Sequence, residues 1–348
     1  MEKKSFKKYI ILFPVLAAVV IFVVLKGTDI QSVLEAMRQA DHKWLLVGIL
    51  LAAAFNVAEG VNLMHVLQSF GYKISFTQGM KYAYIGYFFS SITPSATGGQ
   101  PLQLYAMNKD DIHVAHGTLA ILVEVTSFQL ATFVLENIAA AGVLLGKIHL
   151  SRMMLILGAL GYVMNFIFIA ALMVVILSEK LKEKIVGGIQ WLLRRLPIKN
   201  KENACGKLNG VLHDFEDCKS FLKKDPGLAG RVIVISFIQV ICWFSVPWAV
   251  YHAMGESGSS YIVIFLHQII LYMTTALLPF PGAEGISEFS FVKLFAKIFE
   301  TTPVEAVVLV NRGISFYFLL VLSGILGVLL GRGKKHSGKA MEMYSEKC

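Results

Sequence analysis

Apolar residues in this chain come in blocks long enough to cross a bilayer, separated by short polar stretches. The first block runs from Tyr9 to Leu25 and follows four lysines. It ends in Lys26-Gly27-Thr28-Asp29 without a small-residue cleavage pattern, which predicts an uncleaved span rather than a signal peptide. Further blocks lie at 44–67, 115–145, 153–177, 231–254 and 304–331. Each covers a hydrocarbon core of about 30 Å at 1.5 Å per helical residue. Two other apolar stretches, 78–108 and 260–300, are interrupted by Pro and Gly. They read as re-entrant hairpins or broken helices, because non-helical backbone survives at membrane depth only where protein or a wet cavity satisfies it. The predicted fold is an all-α polytopic membrane protein with about six full spans and two Pro/Gly hairpins.

Composition agrees. Of 348 residues, 56% are hydrophobic and 16% charged, against about 45–50% and about 25% in soluble domains. A soluble enzyme, a disordered chain and a secreted disulfide scaffold are thereby excluded. The four cysteines, Cys205, Cys218, Cys242 and Cys348, show no CxxC spacing, so they read as free thiols, and no metal or other cofactor is predicted.

The net charge of +9 would suggest nucleic acid on a soluble protein. Here it reports orientation instead, and no nucleic-acid partner is expected. With both hairpins returning to their own side, 24 of the 32 Lys and Arg fall on one face and 7 on the other, Arg312 being intramembrane. That bias predicts a multi-pass protein of a bacterial-type cell membrane with both termini cytoplasmic. Within 178–228, Leu181, Ile185, Ile189, Leu192 and Leu196 recur at helical spacing among Lys and Arg. The segment is either an interfacial helix pair attracted to anionic lipid or a basic cytoplasmic connector.

The chain matches itself at an offset of 187 residues. Pro94-Ser95-Ala96-Thr97-Gly98 aligns with Pro281-Gly282-Ala283-Glu284-Gly285, Glu124 with Asn311, and His65 with His252. The unit, about 100 residues long, is span, hairpin, span. The charge count starts one copy outside and the other inside, the arrangement of inverted-repeat transporters. The chain accordingly divides into a first span and outer connector (1–43), repeat 1 (44–145), a span with the basic segment (146–230), repeat 2 (231–332) and a cytoplasmic tail (333–348).

Each hairpin tip is rich in Gly, Pro and polar groups. Pro94, Thr97, Gly98, Gly99 and Gln100 form one; Pro281, Gly282, Glu284, Gly285 and Glu288 form the other. Turns of this kind that open a helix aim backbone N–H groups at an anion, so two converging tips predict a lipid-phosphate site. Glu59, Glu124, Glu136 and Arg312 are charged residues inside apolar runs. Insertion costs of about 2.5–3.5 kcal/mol for such groups place them against protein or water. Arg312, beside Asn311, is the predicted phosphate ligand or else the ion-pair partner of Glu124. Glu59 joins Asn56 and Asn62 in a polar stripe fit to line a cavity. Glu136, His65 and His252, nearer span ends, read as boundary residues. No HExxH, GxSxG, P-loop or dinucleotide fingerprint occurs, so no catalytic residues are assigned.

At ITPSATGGQPLQLYAM, LLPFPGAEGISEF and VLVNRGISFYF the chain resembles the lysylphosphatidylglycerol synthase transmembrane family, over roughly residues 10–335. That family includes the membrane flippase domain of the multiple-peptide-resistance proteins. Full-length members add a domain that transfers lysine from lysyl-tRNA to phosphatidylglycerol. The resemblance implies a flippase-like protein that binds and translocates an anionic or aminoacylated phospholipid such as lysyl-phosphatidylglycerol. The alternatives are the membrane component of a phosphatidylglycerol lysyltransferase working with a separately encoded synthase, and a membrane scaffold. Sixteen residues follow Arg332, too few for the transferase domain. Gln100 and Val125 stand where the family commonly has an acidic residue and an Arg.

Overall fold

A computed structural model describes residues 35, 38–93, 96–146, 148–177, 225–275 and 286–331. All regular structure in them is helical: α1 (His42–Ser69), α2 (Phe76–Ile92), α3 (Gly99–Lys109), α4 (Val114–Leu144), α5 (Arg152–Leu177), α6 (Pro226–Phe244), α7 (Val246–Ala253), α8 (Tyr261–Thr275), α9 (Ile286–Phe295), α10 (Val304–Arg312), a π-helical segment (Gly313–Phe318) and α11 (Leu319–Gly331). Five helical stretches among these residues are long and apolar enough to cross a bilayer: His42–Ser69, Val114–Leu144, Arg152–Met173, Gly227–Ala253 and Val304–Gly331. They coincide with five of the blocks read from the sequence. The block at 9–25, most of the basic segment (178–224), Pro94, the second tip (276–285) and the tail lie outside the described residues.

Local chemistry sets the boundaries. The Asp41 carboxylate caps α1 by accepting the Lys43 N–H (2.8 Å). Ser75 and Gln78 form a reciprocal capping box at α2. Asp225 caps α6, with Pro226 in the first turn where its missing N–H costs nothing. At Ser245 the helical run is interrupted: its hydroxyl donates to Ile241 O (2.6 Å), and Pro247 follows in the first turn of α7.

α1 and the α6–α7 span pack as an antiparallel pair. The Asp41 N–H donates to Ala253 O (2.8 Å), and Trp44 stacks on His252 (4.6 Å). Further along, Phe55 packs on Trp243 (5.1 Å) and Asn62 donates to the Ser236 hydroxyl (3.0 Å). The two interrupted stretches are helical hairpins: α2 and α3 pack together, as do α8 and α9. Their described arms have 17, 11, 15 and 10 residues, ~26, ~17, ~23 and ~15 Å of helix beside a hydrocarbon core of ~30 Å. The first hairpin starts at the C-terminal end of α1, where Phe70, Ile74, Ile112 and Leu228 share one apolar cluster. The second starts at the opposite end, where Tyr251 packs on Phe299 (5.5 Å). α5 packs chiefly on α8 and α4 and leaves Ile156, Leu160, Met164 and Ile167 exposed, a face suited to lipid.

A carboxylate clamps the base of the second hairpin. Glu256 accepts the N–H groups of Glu300 (3.2 Å), Thr301 (3.0 Å) and Thr302 (2.9 Å). Loss of water around the group opposes its ionisation, but the Thr301 hydroxyl and those N–H donors outweigh this and hold its pKa below 4.5. Glu256→Ala should therefore lower thermal stability in detergent at neutral pH by about 1.5–3 kcal/mol. With the folded pKa depressed, this contribution is complete above the unfolded pKa and disappears as pH falls through the folded one. Melts of wild type and variant should converge in acid.

Candidate functional site

The charged residues inside the apolar helices meet partners within the protein. Gln103 on α3 donates to Glu59 Oε1 on α1 (2.6 Å). It reaches that far because Gly86 on α2 has no side chain; a Cβ there would overlap the Gln103 amide. Glu124 on α4 lies close enough to Glu59 for the two to act on each other electrostatically. Gln239 on α6 points its amide at Glu124 Oε1 (3.5 Å). A hydroxyl chain runs alongside: Asn62 donates to Ser236 Oγ, Ser236 to Ser127 Oγ (2.9 Å), and Ser127 to the Glu124 carbonyl (2.8 Å). Asn56, one turn before Glu59, is fully buried, and neither atom of its amide has a protein partner. Four helices thus enclose two carboxyl groups with amide and hydroxyl neighbours.

The cation sits on the second half of the chain. Arg312 is 9% exposed at the end of α10. Its Nε lies 2.9 Å from Glu288 Oε1 on α9, and its guanidinium lies over the Phe316 ring at 4.9 Å. The π-helical segment begins at the next residue, and such segments recur at functional sites. Tyr87 on α2 links the two groups. Its hydroxyl donates to Ser315 O (3.3 Å) and feels the charges of both Arg312 and Glu59.

The first tip is a built turn. Thr93 Oγ1 donates to Phe89 O (2.6 Å) and accepts the Gly98 N–H (2.9 Å). Ala96 adopts a left-handed φ of 54°. Gly99 lies so close to Ser90 that a Cβ would overlap its hydroxyl. Thr97 and Gln100 are exposed, so the α3 residue that meets Glu59 is Gln103. Pro281, Gly282, Glu284 and Gly285 lie outside the described residues.

Of the residues singled out from the sequence, Glu59 comes together with Glu124, and Glu288 with Arg312. Arg312 is therefore not the partner of Glu124: α9 packs on α10 and brings Glu288 to it first. Asn311 is buried on α10. Glu136 is not a boundary residue. α4 continues to Leu144, and Asn165 on α5 donates to Glu136 Oε2 (2.8 Å), leaving the side chain 0% exposed. Gln103, Gln239 and Tyr87 were not singled out; Gln239 inside an apolar run carried the signal that could have flagged it. Among the described residues no three His, Cys, Asp or Glu side chains converge as metal ligands would.

Long apolar helices, short helical hairpins and a buried polar interior define an integral membrane protein. The chain belongs to the family described as lysylphosphatidylglycerol synthase TM region, whose model matches residues 10–323. Among its relatives is a UPF0104 membrane protein of Archaeoglobus fulgidus, 22% identical over 308 residues, 85% of this chain and 89% of the relative. UPF0104 membrane protein PH1989 of Pyrococcus horikoshii is 22% identical over 330 residues, covering 92% and 96%. A UPF0104 membrane protein of Methanothermobacter thermautotrophicus is 22% identical over 293 residues, covering 82% and 85%.

Proposed function

We propose that the protein is a flippase-like membrane protein that binds an anionic or aminoacylated phospholipid and moves it between leaflets, without catalytic turnover of its own. The observation that carries this reading is the pairing of Arg312 with Glu288 of a helical hairpin, beside the half-buried Glu59 and the buried Glu124. A guanidinium beside a carboxylate can exchange it for a phosphate, whose oxygens match the same donors. The two carboxyl groups suit a cationic headgroup substituent.

Alternating access is supported by the arrangement of the helices. Helices α6, α8, α9 and α10 each begin within three residues of a 187-residue shift of α1, α2, α3 and α4. The same shift carries Phe55 to Cys242, and Phe55 packs on the adjoining Trp243, at the middle of the antiparallel pairing. The opening spans of the two halves run in opposite directions, and the hairpins start from opposite ends, as an inverted repeat requires. With six spans both termini lie on one face, the cytoplasmic face by the positive-inside bias.

Purified protein in liposomes carrying a labelled phosphatidylglycerol reporter tests the proposal. Exposure of the reporter in both leaflets, absent from protein-free vesicles, is the expected result. The competing enzymatic reading requires lysyl-lipid from lysyl-tRNA and phosphatidylglycerol, and turnover by this chain alone would overturn the proposal. Co-purification with a synthase but no lipid movement would assign a scaffold.

A further inference from the structure

A second buried network lies apart from the Glu59–Arg312 region, at the seam where α4 meets α5 and α8. Tyr272 on α8 donates to Gln129 Oε1 (3.2 Å), Gln129 to Asn165 Oδ1 (2.8 Å), and Asn165 to Glu136 Oε2. Every donor in the chain points toward the carboxyl group, and the chain ends there. Glu136 is fully buried and its Oε1 has no hydrogen-bond partner from the protein. Gln129 and Asn165 each accept one hydrogen bond at the carbonyl oxygen, and among the described residues no three His, Cys, Asp or Glu side chains converge here as metal ligands would.

We infer that Glu136 is an exchangeable proton-binding site, at which the carboxyl group carries a proton while α5 is seated and releases it to water when α5 parts from α4 and α8. A lone carboxylate in a dry interior lacks solvation and a countercharge, and neutralises instead. The titratable groups on the elements packed around it supply no cation at this depth. On α5 these are Tyr162, which donates to Asn137 Oδ1 (2.9 Å), and Arg152 in the exposed first turn. On α8 they are Tyr272, His267, bonded to Val263 O (2.7 Å), and Tyr261, whose hydroxyl meets Ser245 Oγ (2.7 Å). His42 and Lys43 lie in the exposed first turn of α1. The 187-residue shift puts Ser323 at the equivalent place in the other half, also fully buried but unable to titrate in this range. The carboxyl group is thus peculiar to one half.

Its use in transport rests on the proposed function; its protonation does not. Infrared difference spectra of the purified full chain against Glu136→Gln test the site directly. Wild type should show a protonated-carboxyl carbonyl band that the variant lacks and that disappears reversibly as pH rises; Glu136→Asp should keep a shifted band. An ionised carboxylate at neutral pH, or a band that never titrates, would overturn the inference. In the reporter liposomes, one pH unit across the membrane should bias the lipid distribution by roughly tenfold per coupled proton. Glu136→Gln should equilibrate lipid without that bias, and a bias kept by the variant would place the coupling proton elsewhere. If wild type moves no lipid, the transport reading falls and the infrared arm alone decides on Glu136.

Discussion

Arg312→Gln will destabilise the protein by about 3 kcal/mol, and Glu288→Gln added to it will restore most of the loss. Removing one partner of a buried ion pair strands the other charge, at a cost of about 3–5 kcal/mol. The lower end applies because the Glu288 side chain is 26% exposed and water screens part of the orphaned charge. Adding Glu124→Gln instead should rescue nothing, since Glu124 is met by Gln239 rather than by the guanidinium. Thermal unfolding of the three variants in detergent separates these cases. Lipid binding separates structure from function. If Arg312 takes phosphate, the double variant folds like wild type yet loses retention of phosphatidylglycerol in native mass spectrometry. Full retention would return Arg312 to a purely structural pairing.

The helical scaffold was open to reading from the sequence because burial in lipid leaves long unbroken apolar runs, and because breaks in those runs mark places where backbone groups need other partners. The charged residues were equally visible, since each contradicts its surroundings. What linear reading missed were the partners. The 187-residue self-match aligns Asn311 with Glu124, so symmetry places Arg312 opposite Glu124. The pairing with Glu288 depends on α9 lying against α10, which no spacing rule encodes. The sequence points to Gln100 rather than Gln103, although both follow Gly98-Gly99. Only the close approach of α3 to Gly86 decides which of them reaches Glu59. Glu136 departs from its sequence reading for a related reason. Distance from the end of an apolar run measures membrane depth, whereas its burial comes from α5 packing across it.

Gly161→Ala should cost about 3 kcal/mol, near the top of the range for overpacking, because the obstacle is backbone rather than a side chain that can turn away. A Cβ on Gly161 falls on the Met273 carbonyl oxygen, so α5 and α8 touch main chain to main chain at this point. Small residues serve helix packing in membranes in this way, since close backbone approach replaces a hydrophobic driving force that lipid does not supply. The consequence reaches the polar seam. Asn165 lies one turn beyond Gly161, and Tyr272 immediately precedes Met273, so a methyl group that pushes α5 from α8 also draws Asn165 from Glu136 and Gln129. The variant should melt earlier and lose the Glu136 carboxyl band at lower pH than wild type, because the group gains water. Gly158→Ala, on the same helix, is the control. A Cβ there meets nothing within 4 Å, so the change should be neutral or stabilise by up to about 1 kcal/mol through helix propensity. Equal melting of Gly161→Ala and wild type would show that the backbones do not touch, and the route by which α5 holds the proton site shut would go with them.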